Sequence, residues 1–224
     1  MPFHPPTLSD LRMPAPRFIT LDGIDGSGKS SQIGPLVTWL QGRGCRVTTC
    51  RDPGSTPAGD AIRAILLDRH DLHLTPTAEM FLYMAARAQL VQEVIRPALT
   101  RGEWVVSDRY LLANIVYQGH AGGLDPEVIR DVGSVATGGL MPDLVLLLDV
   151  DLAVSAARLD RPLDKLENRG DGYRRRLREG YLAEAARQPD GIQVIDADAS
   201  VAEVGSRIRA AITARFPELA SELT

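Results

Sequence analysis

The chain has 224 residues, 44% of them hydrophobic, and a formal net charge of -4 at pH 7. That length and apolar content suit one domain with a sizeable core, and the acidic balance weighs against a nonspecific DNA- or RNA-binding surface. No run of eighteen apolar residues occurs, so no membrane span is expected. The two cysteines, Cys45 and Cys50, are poorly placed for a disulfide or a metal site, which fits a reducing cytoplasm.

In chain order, residues 1–16 carry Pro2, Pro5, Pro6, Pro14 and Pro16 without a long apolar core, and read as a tail rather than a secretory signal. Phe18–Leu21 reads as the first strand. The run Gly23-Ile24-Asp25-Gly26-Ser27-Gly28-Lys29-Ser30 follows it and opens a helix from Lys29 to about Gln41. Arg46–Cys50 reads as a second strand, with helical patterns near Ala58–Leu67 and Ala78–Leu99, the latter bent or ended by Pro97. Trp104–Ser107 is the third strand and Asp125–Thr137 a helix. Asp143–Leu148 is almost wholly apolar, as a strand buried on both faces should be. Val154–Leu159 starts another helix, Ile192–Ile195 is the last strand, and a helix runs through Ile212. This alternation predicts an α/β fold with a parallel sheet between helical layers. The domain is expected to span 17–216, with 217–224 as a C-terminal tail.

The glycine-rich run is GxxxxGK[ST] between a strand and a helix, the context in which it binds phosphate. Backbone N–H groups point inward at a helix start, where the dipole favours negative charge. Gly23, Ile24, Asp25, Gly26, Ser27, Gly28, Lys29, Ser30 and Ser31 are the triphosphate-binding candidates. Lys29 can reach the β- and γ-phosphates, and Ser30 can offer its hydroxyl to Mg²⁺. In an open parallel sheet the carboxyl ends of the strands form the binding edge. Arg51-Asp52-Pro53-Gly54, Asp108-Arg109-Tyr110 and Asp149-Val150-Asp151 follow three such ends. Arg51 and Arg109 can therefore grip a second phosphate beside the first, while Asp108 can hold a metal-bound water, orient an arginine or cap a helix. Two opposed anion sites suit phosphoryl transfer between phosphorylated small molecules, which needs positioning and charge neutralisation more than a general base. His4, His70, His73 and His120 are scattered and form no triad. The charged stretch Arg158–Arg178 fits a solvated surface or a lid over bound phosphates, placed at about 158–172. Tyr83 and Arg87, four apart, fit a core tyrosine beside a snorkelling arginine by spacing alone.

Taken together, these motifs resemble the thymidylate kinase family over residues 17–213. Phe18–Ser30 looks like the family's opening strand and phosphate turn. Arg51-Asp52-Pro53-Gly54-Ser55-Thr56 is similar to its RxPGGT segment, with Ser55 where glycine is usual. Tyr83–Gln89, Asp108-Arg109-Tyr110 through Tyr117-Gln118-Gly119, and Pro142–Val150 resemble its base-binding helix, its signature and the strand before its lid.

The resemblance implies a P-loop NTPase fold with a central five-stranded parallel sheet and a mobile lid, and an ATP- and Mg²⁺-dependent phosphorylation of dTMP. It also implies a cytoplasmic homodimer with no nucleic-acid or membrane partner, the helix at 78–99 being a candidate dimer element. Arg51 and Arg109 would bind the dTMP phosphate, and Tyr83 and Arg87 the base. Asn114 would meet the pyrimidine edge, Tyr117 would crowd the sugar 2′-carbon, and Gln118 would shape the pocket. Asp25 would lie near the sugar 3′-hydroxyl and the metal, with Ser30 and Asp108 as the other metal candidates. The family places its extra cation either inside the phosphate turn or in the lid. Here the turn position is Gly26, so Arg161, Lys165 or Arg169 would supply it. With Lys29, Arg109 and Asp25 these are the catalytic candidates. Two other readings fit the same residues: a kinase for another deoxynucleotide or nucleoside, and a nucleotide-binding regulatory protein that has lost transfer.

Overall fold

The computed structural model describes residues 14–159 and 170–220. Five parallel strands form one sheet in the order β2-β3-β1-β4-β5: β1 Phe18–Asp22, β2 Val47–Arg51, β3 Trp104–Asp108, β4 Leu144–Asp149 and β5 Ile192–Asp196. The central strand β1 is buried throughout, and its neighbours β3 and β4 are buried except at their last residues, Asp108 and Asp149. Their near-continuous apolar runs reflect helices covering both faces. β2 and β5 lie at the edges and carry exposed polar residues.

Side chains alternate between two cores. Phe18 and Val105 face Met80, Met84, Leu90, Ile95 and Ile129, whereas Ile19 and Val106 face Leu36, Leu40, Ile208 and Ile212. Register aligns the strand ends: Leu21 and Arg51 both stand opposite Asp108, and Asp149 stands opposite Asp196. One edge of the sheet therefore collects Asp22, Arg51, Asp108 and Asp149.

The helices are α1 Lys29–Gln41, α2 Pro57–Leu67, α3 Pro76–Leu90, α4 Arg96–Thr100, α5 Leu111–Asn114, α6 Pro126–Thr137, α7 Leu152–Arg158, α8 Asp171–Arg187 and α9 Val201–Arg215. Thr56, Thr75 and Asp125 cap α2, α3 and α6, each followed by proline in the first turn, and Ser200 with Glu203 forms a capping box on α9. The helical run beginning at Pro76 widens into a π segment at Val91–Ile95 before Pro97, and the Arg96 N–H reaches the Val91 carbonyl. Proline has no N–H for the regular ladder, so the register shifts ahead of it. A second π segment, Ile115–His120, continues α5. Pro217–Leu219 makes a 3₁₀ turn with Leu219 fully buried, so the packed chain runs past residue 216. Cys45 and Cys50 are buried and unlinked; burial pushes the Cys45 thiol up to about 11 and the Cys50 thiol up to about 12.

Candidate active site

The phosphate turn leaves the middle of the sheet and enters α1 through Gly28, whose φ of 93° is left-handed and which places no side chain on the helix start. The first N–H groups of α1 are thus open to an anion. Lys29 is folded back over its own loop: Nζ donates to the Gly23 carbonyl at 3.0 Å, the Ile24 carbonyl at 2.9 Å and Ser27 Oγ at 3.4 Å. Burial, helped by the charge on Arg109, pushes its amine down to about 8. Ser30 and Ser31 are exposed on the first turn and line a cavity of about 930 Å³ with Asp25–Lys29.

Arg109 follows β3 with a left-handed φ of 68°, rare for a non-glycine residue and frequent at functional sites. Its guanidinium donates to the Gly23 carbonyl at 2.9 Å, Tyr181 Oη at 3.0 Å, Asp25 Oδ1 at 2.5 Å and Tyr117 Oη at 3.2 Å. The other oxygen of Asp25 accepts from Tyr117 Oη at 2.8 Å. Burial opposes ionisation of Asp25, but Arg109 and Lys29 outweigh it and hold the carboxyl well below the usual range. Asp25 therefore stands as a fixed anion that orients Arg109.

Asp108 faces the large cavity, and its Oδ1 is buried without a hydrogen-bond partner. A buried orphan carboxylate oxygen is costly unless a cation or water meets it. With the exposed Ser30 hydroxyl across the same cavity, it fits the oxygen-rich ligation of Mg²⁺. Arg51 is exposed, paired with Asp60 at 3.0 Å, and lines the cavity too. Ser55, at the position where the resemblance leads one to expect glycine, adopts a left-handed φ of 64°, and its Oγ accepts from the Arg51 N–H at 2.9 Å. The backbone keeps the glycine geometry while the side chain closes the turn.

A second cavity, about 110 Å³, is lined by Tyr83, Arg87, Ala113, Asn114, Tyr117 and Gln118, and shares Asp25, Asp52, Arg63, Leu67 and Arg109 with the first. Arg87 does not snorkel: it is 1% exposed. Its Nε donates to Asp52 Oδ2 at 2.5 Å and its Nη1 to Asn114 Oδ1 at 3.2 Å. Asn114 Nδ2 donates to Gln118 Oε1 at 2.6 Å, and Gln118 Nε2 to Glu79 Oε2 at 3.3 Å. A buried polar chain thus crosses the floor of the small cavity and fixes which donors and acceptors face it.

Sequence reasoning did not single out several residues that the structure brings here. Arg63 lines both cavities and is anchored by the Pro53 carbonyl at 3.0 Å. Its spacing of four from Gly59 and from Leu67 was a usable signal, since all three lie along one side of α2. Arg158, at the end of α7, lines the large cavity and donates to the carbonyls of Ala197 and Ala199 at 3.0 and 3.1 Å. Asp22 is fully buried beneath Lys29 and Arg109; desolvation pushes it up to about 6 against their charges. The lid candidates Arg161, Lys165 and Arg169 lie outside the described residues.

Comparison with known proteins agrees with this geometry. A family model described as thymidylate kinase matches residues 21–208. A thymidylate kinase of Rhodopirellula baltica is 43% identical over 194 residues, 87% of this chain and 79% of that protein. One from Geobacter sp. (strain M21) is 42% identical over 210 residues, covering 90% and 93%. The crystal structure of thymidylate kinase from Ehrlichia chaffeensis superposes with a TM-score of 0.73 at 25% identity, covering 89% of this chain and 99% of that one. With its phosphate turn, its five-stranded sheet and a match over most of its length, this chain belongs to the thymidylate kinase family.

Proposed function

We propose that this chain transfers the γ-phosphoryl of ATP to the phosphate of dTMP, giving ADP and dTDP. The observation that carries the reading is the meeting of two cavities at Arg63, Arg109 and Asp25, one built on the phosphate turn and the other on the base-binding helix α3. An oxygen of the acceptor phosphate attacks the γ-phosphorus, the bond from that phosphorus to the bridging oxygen breaks, and ADP leaves with the electron pair. The acceptor is already ionised near neutral pH, so the site needs no strong base.

Lys29 leaves its loop carbonyls for the β- and γ-phosphates, which offer it charge-assisted partners. Arg51, Arg63 and Arg109 hold the acceptor phosphate in line. Tyr83 supplies a flat face for the base, and Arg87, Asn114 and Gln118 supply its polar edge. Tyr117, braced by Asp25 and stacked under Arg109, stands against the sugar. Ser30 and Asp108 would hold Mg²⁺, which when bound neutralises charge on the phosphates. Arg161, Lys165 and Arg169 are proposed to close over the transfer.

We also infer a homodimer through α3 and α6, which leave Phe81 of α3 55% exposed and Val128 and Val135 of α6 51% and 84% exposed. Among the described residues no helix is long and apolar enough to cross a membrane.

The test is the initial rate with ATP and each of dTMP, dUMP, dCMP, dGMP and thymidine. The expected result is preference for dTMP with equal yields of ADP and dTDP. Preference for another acceptor, or nucleotide binding without product, overturns the reading.

A further inference from the structure

Arg109 lines both cavities, and part of what aims its guanidinium lies outside their linings. Nη1 of Arg109 is shared between the Gly23 carbonyl and Tyr181 Oη. Because the guanidinium can only donate, the Tyr181 oxygen accepts, and its own proton is free to point elsewhere. It points at Asp22 Oδ1, 3.5 Å away, and the second oxygen of Asp22 accepts from Thr20 Oγ at 3.2 Å. Tyr181 is 2% exposed and Asp22 is fully buried, and neither lines the two cavities.

The tyrosine ring is held as firmly as its hydroxyl. It meets Tyr117 edge to face, with centroids 6.4 Å apart and planes at 79°. One helical turn further along α8, the buried Glu184 accepts from Arg130 at 3.0 and 3.1 Å and contacts His120 Nε2 at 2.8 Å. These contacts tie α8 to α6 and to the π segment that bears Tyr117. The fold thus fixes the Tyr181 oxygen independently of Arg109, and Arg109 is oriented against it.

We propose that Tyr181 and Asp22 are positioning residues, a buried relay that selects the rotamer of Arg109 and thereby sets affinity for the acceptor phosphate. The proposal rests on the reading that Arg109 grips that phosphate. It concerns the phosphate and not the base, so it is tested on whichever nucleoside monophosphate the wild-type chain phosphorylates best. A different base preference would then correct the functional reading and leave this test intact.

Tyr181→Phe keeps the ring and its stacking and removes only the oxygen. The expected result is a rise of about ten-fold in KM for the acceptor, the scale of one hydrogen bond to a charged group, with KM for ATP within about two-fold. In an Arg109→Ala background the same change should alter acceptor KM by less than about two-fold, because the group being aimed is gone. Equal rises in both KM values, an unchanged acceptor KM, or an undiminished effect in the Arg109→Ala background overturns the relay. Should Tyr181→Phe melt below the assay temperature, Asp22→Asn replaces it. That near-isosteric change should raise acceptor KM about three-fold and leave ATP KM unchanged, and an unaltered acceptor KM refutes the proposal.

Discussion

ATP binding should draw a proton from solution at pH 8, and Lys29 is the reason. Its ammonium is buried against neutral loop acceptors with Arg109 nearby, and burial above all pushes its pKa down to about 8. The direction follows from desolvation: burial disfavours the charged form of a lysine. At pH 8 about half of the molecules therefore carry a neutral amine. A triphosphate in the turn places several negative charges beside Nζ and restores the ammonium, so binding takes up about half a proton per site. At pH 7 roughly nine-tenths of the sites are already charged and uptake falls to about a tenth. Phosphate oxygens entering a cationic site can lose protons but not gain them, so the ligand cannot imitate the effect. Calorimetry of ATP binding without acceptor, in two buffers of different ionisation enthalpy, measures the uptake directly. Zero uptake or net release at pH 8 would refute the argument that Lys29 rests partly neutral on its own loop.

Two further variants separate the roles of the site's other cations. Arg109→Ala should weaken dTMP binding by about 2–3 kcal/mol, roughly 30- to 150-fold, and ATP binding by less than about three-fold, as read by titration of each ligand; equal losses would contradict the assignment of Arg109 to the acceptor phosphate. Asp52→Ala leaves the Arg87 guanidinium, 1% exposed, without its counter-charge. Breaking a buried pair in this way costs about 3–5 kcal/mol, a fall of roughly 6–20 °C in Tm for a chain of this size. A loss below about 1 kcal/mol would mean that the pair behaves as a surface one.

What the sequence made legible was local. The phosphate turn declares itself because its glycines, Lys29 and Ser30 are contiguous and the strand and helix flank them directly. All five strands could be read, the inner three because burial between two helical layers forces apolar runs such as Leu144–Leu148, and the edge strands β2 and β5 because they are short runs rich in β-branched residues between helical patterns. The segment from Leu111 to Gly119 hid its helical character for the opposite reason: it is buried on every side, so no polar stripe marks a period. In α8 the arginines of the outer face masked the buried stripe of Tyr173, Leu177, Tyr181 and Glu184. Contacts between distant segments were invisible. Asp52 lies 35 residues from Arg87, and only the sheet order brings the end of β2 to the inner face of α3. Tyr181 and Arg109 are 72 residues apart and meet for the same kind of reason.

The packing of the phosphate turn restricts where a basic side chain can stand around it. Gly26 has a left-handed φ of 78°, and a Cβ built on it would collide with the carbonyl oxygen of Ser155 on α7. Both obstacles apply to any L side chain, whatever its charge. Ser155 cannot easily retreat: its hydroxyl donates to the Asp25 carbonyl at 2.7 Å and accepts from Arg174 of α8 at 2.8 Å. α7 and α8 therefore clamp the outer turn of the loop and close the place where an arginine within the turn would stand. The cost of that clamp is a loop that supplies only Lys29. Further positive charge at the cavities comes from side chains outside the turn, among them Arg63 and Arg109, which line both. The same contacts that exclude a side chain from Gly26 join the turn to α7 and α8, the elements on either side of residues 160–169 in the chain.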